Sequence, residues 1–68
     1  MGKITIQLNG NDYTLNQPKT IQSIINDLSL DKNMIIVELN EQLIKKDNWN
    51  KKVNSNDKLE LIQYLGGG

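Results

Sequence analysis

The chain contains neither cysteine nor histidine among its 68 residues. That excludes a thiol nucleophile, an imidazole base, a disulfide frame and the usual zinc-ligand sets. If the protein handles sulfur, it does so without a thiol of its own. Charge of one sign is also missing: eight basic residues balance eight acidic ones, for a formal net charge of zero and a pI near 6.1. The bulk electrostatic argument for nucleic acid or an anionic membrane as partner is thereby removed, and partners must be recognised through shape and local patches. No apolar run approaches membrane-spanning length. The start, Met1-Gly2-Lys3-Ile4-Thr5-Ile6, reads as neither a signal peptide nor a myristoylation site, because Ile6 stands where Ser or Thr is needed. The expectation is a soluble cytoplasmic protein with no nucleic-acid or membrane partner. A domain of this size buries only about 60% of its unfolded-state surface, which leaves little room for a deep private active site. The chain also lacks a phosphate-cradling Gly-rich loop, paired catalytic carboxylates and a triad, so no enzyme activity is expected of it.

What the chain does have is an unusual end. Ile62-Gln63-Tyr64-Leu65 is an apolar strand running straight into Gly66-Gly67-Gly68. Glycine lacks a Cβ and enters almost any backbone conformation, so three in a row make a thin thread able to enter a slot closed to side chains. Extended, the thread carries the Gly68 carboxylate roughly 10 Å beyond Leu65, far enough to reach a neighbouring protein's active site. That carboxylate is ionised at neutral pH and can attack an activated phosphate. The expected organisation is a folded domain over 1–65 and a flexible glycine tail over 66–68.

The rest of the chain alternates in an orderly way. Ile4, Ile6 and Leu8 alternate with polar residues, Asn9-Gly10 follows, and Tyr13 and Leu15 resume the pattern, which predicts a hairpin of strands over 3–8 and 11–15. Thr20 is placed to cap a helix whose apolar stripe is Ile21, Ile24, Ile25 and Leu28, at i, i+3, i+4 and i+7. Met34 to Leu39 is rich in β-branched residues and reads as a third strand, with a short fourth over Gln42-Leu43-Ile44. Lys45, Lys46, Lys51 and Lys52 surround Trp49, which leaves two readings: a basic patch with an aromatic in it, or a solvated loop with Trp49 folded back as a lid on a small core. Asn54 to Asp57 is a turn cluster in which Asn56 is suited to a left-handed conformation. Leu59 and Leu61 then alternate with Lys58 and Glu60 to begin the last strand. If Leu59, Leu61 and Leu65 point inwards, Ile62 and Tyr64 project from the face away from the helix, joined by Ile36 from the neighbouring strand. Ile36, Ile62, Tyr64 and Leu65 are accordingly the candidate partner-binding residues.

One helix among four to five short strands implies an α+β domain with the helix packed across a mixed sheet. Over its whole length this pattern resembles the ubiquitin-like β-grasp fold. Within that fold it is more closely similar to the ThiS family of sulfur carriers of thiamine biosynthesis, through Val37-Glu38-Leu39-Asn40, Gln42-Leu43-Ile44, Lys46-Asp47-Asn48-Trp49, Asp57-Lys58-Leu59-Glu60-Leu61 and the terminal Gly67-Gly68. It departs from that family at turns: Glu41 and Asn56 stand where glycine is common, and Lys45 where proline is common. The resemblance implies that an E1-like adenylyltransferase of the ThiF type uses ATP and magnesium to adenylate the Gly68 carboxylate. A sulfur donor protein then converts it to a thiocarboxylate, which a thiazole synthase of the ThiG type consumes. On that reading the carrier binds no cofactor itself, and Gly66, Gly67 and Gly68 are its working residues. The same tail chemistry would serve the small subunit of molybdopterin synthase or a ubiquitin-like protein modifier, and a plain interaction domain with an inert tail is the remaining alternative.

Overall fold

The computed structural model describes residues 2–64. In chain order these form β1 (Ile4–Leu8), β2 (Asn11–Leu15), α1 (Ile21–Asp27), β3 (Ile35–Leu39), β4 (Gln42–Ile44), a 3₁₀ turn (Lys46–Asn48) and β5 (Lys58–Gln63). The strands make one sheet in the order β2-β1-β5-β3-β4. β1 and β5 run parallel, and every other neighbouring pair is antiparallel. The last strand therefore lies in the middle of the sheet. Among the described residues no helix is long and apolar enough to cross a membrane.

Two tight hairpins set the register. Asn9 and Gly10 both have positive φ, at 50° and 87°, and join Leu8 to Asn11 by a two-residue turn of the kind whose twist suits antiparallel strands. Asn40 and Glu41, at 53° and 69°, do the same between Leu39 and Gln42. Glu41 thus holds a left-handed conformation that a side chain disfavours and glycine does not. A Glu41→Gly variant is expected to gain about 0.5–1 kcal/mol, after allowing for the greater freedom glycine gives the unfolded chain. For a domain of this size that is a rise of a few degrees in melting temperature. A lower melting temperature would show that the Glu41 side chain stabilises the turn.

Helix α1 has seven residues, too few to persist alone. Its first-turn amides are all satisfied. Ile21 N–H donates to Lys51 O at 3.0 Å and Gln22 N–H to Trp49 O at 2.9 Å, while Ser23 N–H is capped by Thr20 Oγ1 at 3.0 Å. At the other end, Ser29 N–H donates to Asn26 O and Leu30 N–H to Ile25 O, with Ser29 at φ 57°. This is the double bond pattern of a Schellman stop. It ends the apolar stripe earlier than the spacing suggests: Leu28 becomes the C-cap and is exposed, and Leu30 packs against the core instead.

Ile21, Ile24 and Ile25 of the helix join Ile6, Leu15, Val37, Leu59 and Leu61 of the sheet in a single buried cluster, and no charged or polar side chain is buried among the described residues. Trp49 and Val53 close it from the side. Trp49 is 3% exposed, and its indole N–H donates to Ile44 O at 3.2 Å. The lid reading of the lysine-rich loop is therefore the one the fold adopts. A buried indole presents no face for a base to stack on.

β5 is held by more than its ladder. Asn9, at the tip of the first hairpin, donates its N–H to Leu59 O at 3.0 Å and accepts Leu61 N–H on its side-chain oxygen at 2.9 Å. Asn40, at the tip of the second, donates its N–H to Lys58 O at 2.8 Å and accepts Lys58 N–H at 2.9 Å. Asn56 takes the left-handed conformation at φ 70° and donates to Thr5 O, and Asp57 bridges Asn40 and the Asn54 amide. Two asparagines that serve as turn residues thus also clamp the start of the central strand from both sides.

Candidate functional site

Strand alternation decides which side chains β5 offers to solvent. Leu59 and Leu61 are buried, so Glu60 and Ile62 point the other way, away from the helix. On β3, Ile35, Val37 and Leu39 are buried and Ile36 and Glu38 face outwards. The pairing places Ile36 directly opposite Ile62 and Glu38 directly opposite Glu60. Beyond Ile62 the chain is still fastened to the sheet, with Tyr64 N–H donating to Met34 O at 3.0 Å. Ile36, Ile62 and Tyr64 are 41%, 42% and 46% exposed, a level unusual for side chains this large.

Leu43 on β4 extends the same surface. It pairs with Glu38, so it shares the outer face, and it is the most exposed large hydrophobe described, at 64%. Its direction is not legible in the sequence, because a three-residue strand offers too little alternation to tell its two faces apart. The outer face is thus apolar over three adjacent strands and is crossed by the Glu38–Glu60 pair. Like charges directly opposite on a sheet destabilise it. Their position beside the apolar side chains means that a partner able to place a basic group between them would relieve the repulsion.

Leu65, Gly66, Gly67 and Gly68 lie outside the described residues. Tyr64 is the last described position, at the end of the central strand and at the edge of the Ile36–Ile62 surface.

A mixed five-stranded sheet crossed by one helix, with the final strand central and parallel to the first, is the ubiquitin-like β-grasp architecture. It superimposes on the crystal structure of the thiamine biosynthesis protein (ThiS) from Geobacter metallireducens with a TM-score of 0.81, covering 96% of this chain and 100% of that one at 20% identity. The family model described as ThiS family matches residues 6–68, and the chain belongs to that family. Among curated proteins it is 35% identical over 66 residues to ycf40 of Pyropia yezoensis, covering 96% of this chain and 93% of that protein. It is 31% identical over 65 residues to the sulfur carrier protein ThiS of Bacillus subtilis, covering 93% and 98% respectively. A thiazole synthase of Paramagnetospirillum magneticum is 29% identical over 62 residues, which are 90% of this chain but 19% of that protein.

Proposed function

We propose that this protein is a sulfur carrier for thiazole formation in thiamine biosynthesis, holding the sulfur on the C-terminal carbonyl of Gly68. The observation that carries the reading is the family match, which runs through to residue 68 in a chain with no thiol of its own. A carboxylate is a poor acylating agent until one of its oxygens is given a good leaving group. In the partner adenylyltransferase, a Gly68 oxygen attacks the α-phosphorus of magnesium-bound ATP, giving an acyl adenylate and pyrophosphate. A hydrosulfide equivalent from the sulfur donor then forms the C–S bond as the C–O bond to AMP breaks, leaving the thiocarboxylate. The carrier is the substrate of these steps, and the catalytic groups belong to its partners. The likeness to a segment of a thiazole synthase supports an enzyme of that class as the acceptor, since in that protein a stretch similar to this chain is part of the same polypeptide.

The outer face of Ile36, Ile62 and Tyr64 is the surface by which the adenylyltransferase would align the tail. An Ile62→Asp variant is expected to lower kcat/KM for adenylation roughly tenfold to thirtyfold, as loss of a central interface anchor does. Its melting temperature should stay within a few degrees of wild type, because the side chain is already half in water. Unchanged adenylation kinetics would rule the face out.

The carrier reading itself is tested by intact mass. After incubation with a matching adenylyltransferase, ATP, magnesium and a sulfur source, one oxygen should be replaced by one sulfur, and fragmentation should place it on Gly68. Supplying the charged protein separately to a thiazole synthase and to a molybdopterin synthase large subunit distinguishes the two pathways, because the tail chemistry is shared and only the acceptor differs. A mass that never changes, with the adenylyltransferase shown active on another carrier, would leave only the inert-tail alternative.

A further inference from the structure

β4 is shorter than the strand it pairs with, and the difference leaves an opening. In an antiparallel ladder the N–H and C=O of one residue point to the same neighbour. Because Tyr64 donates to Met34 O, the bonds of Met34, Ile36 and Glu38 run to β5, and those of Ile35, Val37 and Leu39 run the other way, towards β4. β4 supplies Gln42 opposite Leu39 and Ile44 opposite Val37, then ends. The residue that would come next in register, Lys46, has turned aside into the 3₁₀ turn, where its C=O accepts Trp49 N–H at 3.1 Å and its ammonium is bonded to Asn33 Oδ1 at 2.8 Å. Among the described residues, nothing bonds to the β4-facing N–H and C=O of Ile35.

That strand edge borders a cleft of about 300 Å³. Ile36, Val37, Leu43, Ile44 and Trp49 line it, the exposed apolar side chains among them being those of Ile36 and Leu43, and Lys32, Lys45 and Lys46 stand around it. No carboxylate lines it among the described residues, and Asp31, beside Lys32, has its carboxylate engaged by the Asn33 N–H at 2.9 Å. Ile36 and Leu43 belong both to this cleft and to the exposed outer face, so the two surfaces are continuous.

We propose that the cleft docks a short extended segment of a partner protein in which apolar residues alternate with acidic ones. The segment continues the line of β4 past Ile44 and completes the missing hydrogen-bonded pair with Ile35, as in recognition by strand addition. An apolar side chain of the segment packs against Ile36 and Leu43 on the outer face, and its acidic neighbours on the opposite side of the strand meet the lysines. The proposal does not depend on the carrier chemistry.

It is tested with the purified chain labelled with ¹⁵N, titrated with a capped pentapeptide of sequence Asp-Leu-Glu-Leu-Asp and, separately, with the same peptide carrying lysine at the acidic positions. The acidic peptide should give saturable shifts at the amides of Ile35, Leu43, Ile44 and Lys45 and at the Trp49 indole, and the basic peptide should give none. Reversing two exposed rim charges, in a Lys32→Glu/Lys45→Glu variant, should weaken the acidic peptide roughly tenfold. The proposal is overturned if the acidic peptide gives no saturable shift, if both peptides bind alike, or if the shifts fall only on Ile62 and Tyr64. It is also overturned in favour of self-association if concentrating the protein alone moves the same signals.

Discussion

A Gly67→Val variant is expected to melt with the wild-type protein and yet never to be charged. Among the described residues the buried cluster reaches no further along β5 than Leu61, six residues before the substitution, so the change is expected to leave folding free energy untouched. Chemistry at the tail is another matter. In the proposed adenylation, in-line attack on the α-phosphorus of ATP would require the Gly68 carboxylate to arrive within a narrow range of positions, and small misplacements cost orders of magnitude in rate. Valine both widens the thread and restricts its backbone through the branched Cβ. Deleting Gly68 has the same consequence by another route, since it withdraws the carboxylate by roughly 3.5 Å. Thermal melts beside intact-mass assays on both variants check this. A clear fall in melting temperature would mean that the tail is part of the packed structure. Normal charging of Gly67→Val would mean that the glycines are not required for access.

The second large effect is expected on stability. Trp49→Ala removes the one large side chain that closes the core between Ile44 and Val53, and truncations of this kind cost about 3–5 kcal/mol. At 0.05–0.15 kcal/mol per residue, a domain this small has a total of only about 3–10 kcal/mol. The variant should be largely unfolded, or close to it, at room temperature. The damage should spread to the helix, because the segment around Trp49 supplies the carbonyls of Trp49 and Lys51 that receive the first two helical amides. Trp49→Phe separates the contributions: it keeps most of the apolar area and loses the bond to Ile44 O, a difference of about 1 kcal/mol. Urea unfolding of both variants measures this. A small effect of the alanine change would show that the loop is a surface ornament and not a wall of the core.

The parts of this fold legible in the sequence are those written in local chemistry. Asn9-Gly10 announces its hairpin because both positions need positive φ, and Thr20 announces the helix start because its hydroxyl reaches an amide three residues on. The alternation of Leu59, Glu60, Leu61 and Ile62 sets the outward direction of Ile62 without reference to any pairing. Other features leave no such trace. Ser29 adopts a left-handed conformation more often taken by glycine, so the early end of the helix, and with it the exposure of Leu28, was hidden. The cleft beside Ile35 depends on where β4 stops relative to β3, a matter of register between two strands. The bond from Leu61 N–H to the Asn9 side chain spans 52 positions and cannot be seen in a window of any practical width.

The two asparagine clamps have a mechanical side. A partner that draws the C-terminus into its active site pulls along the axis of β5, and the ladders on either side of that strand lie across the direction of pull. They are loaded in shear, so they resist together and do not open one bond at a time. The Asn9 and Asn40 bonds sit at the far end of the strand, where they anchor the last rungs that such a load would reach. On the proposed function the domain would serve as a handle for its C-terminus, able to be pulled repeatedly without the strand peeling out of the sheet.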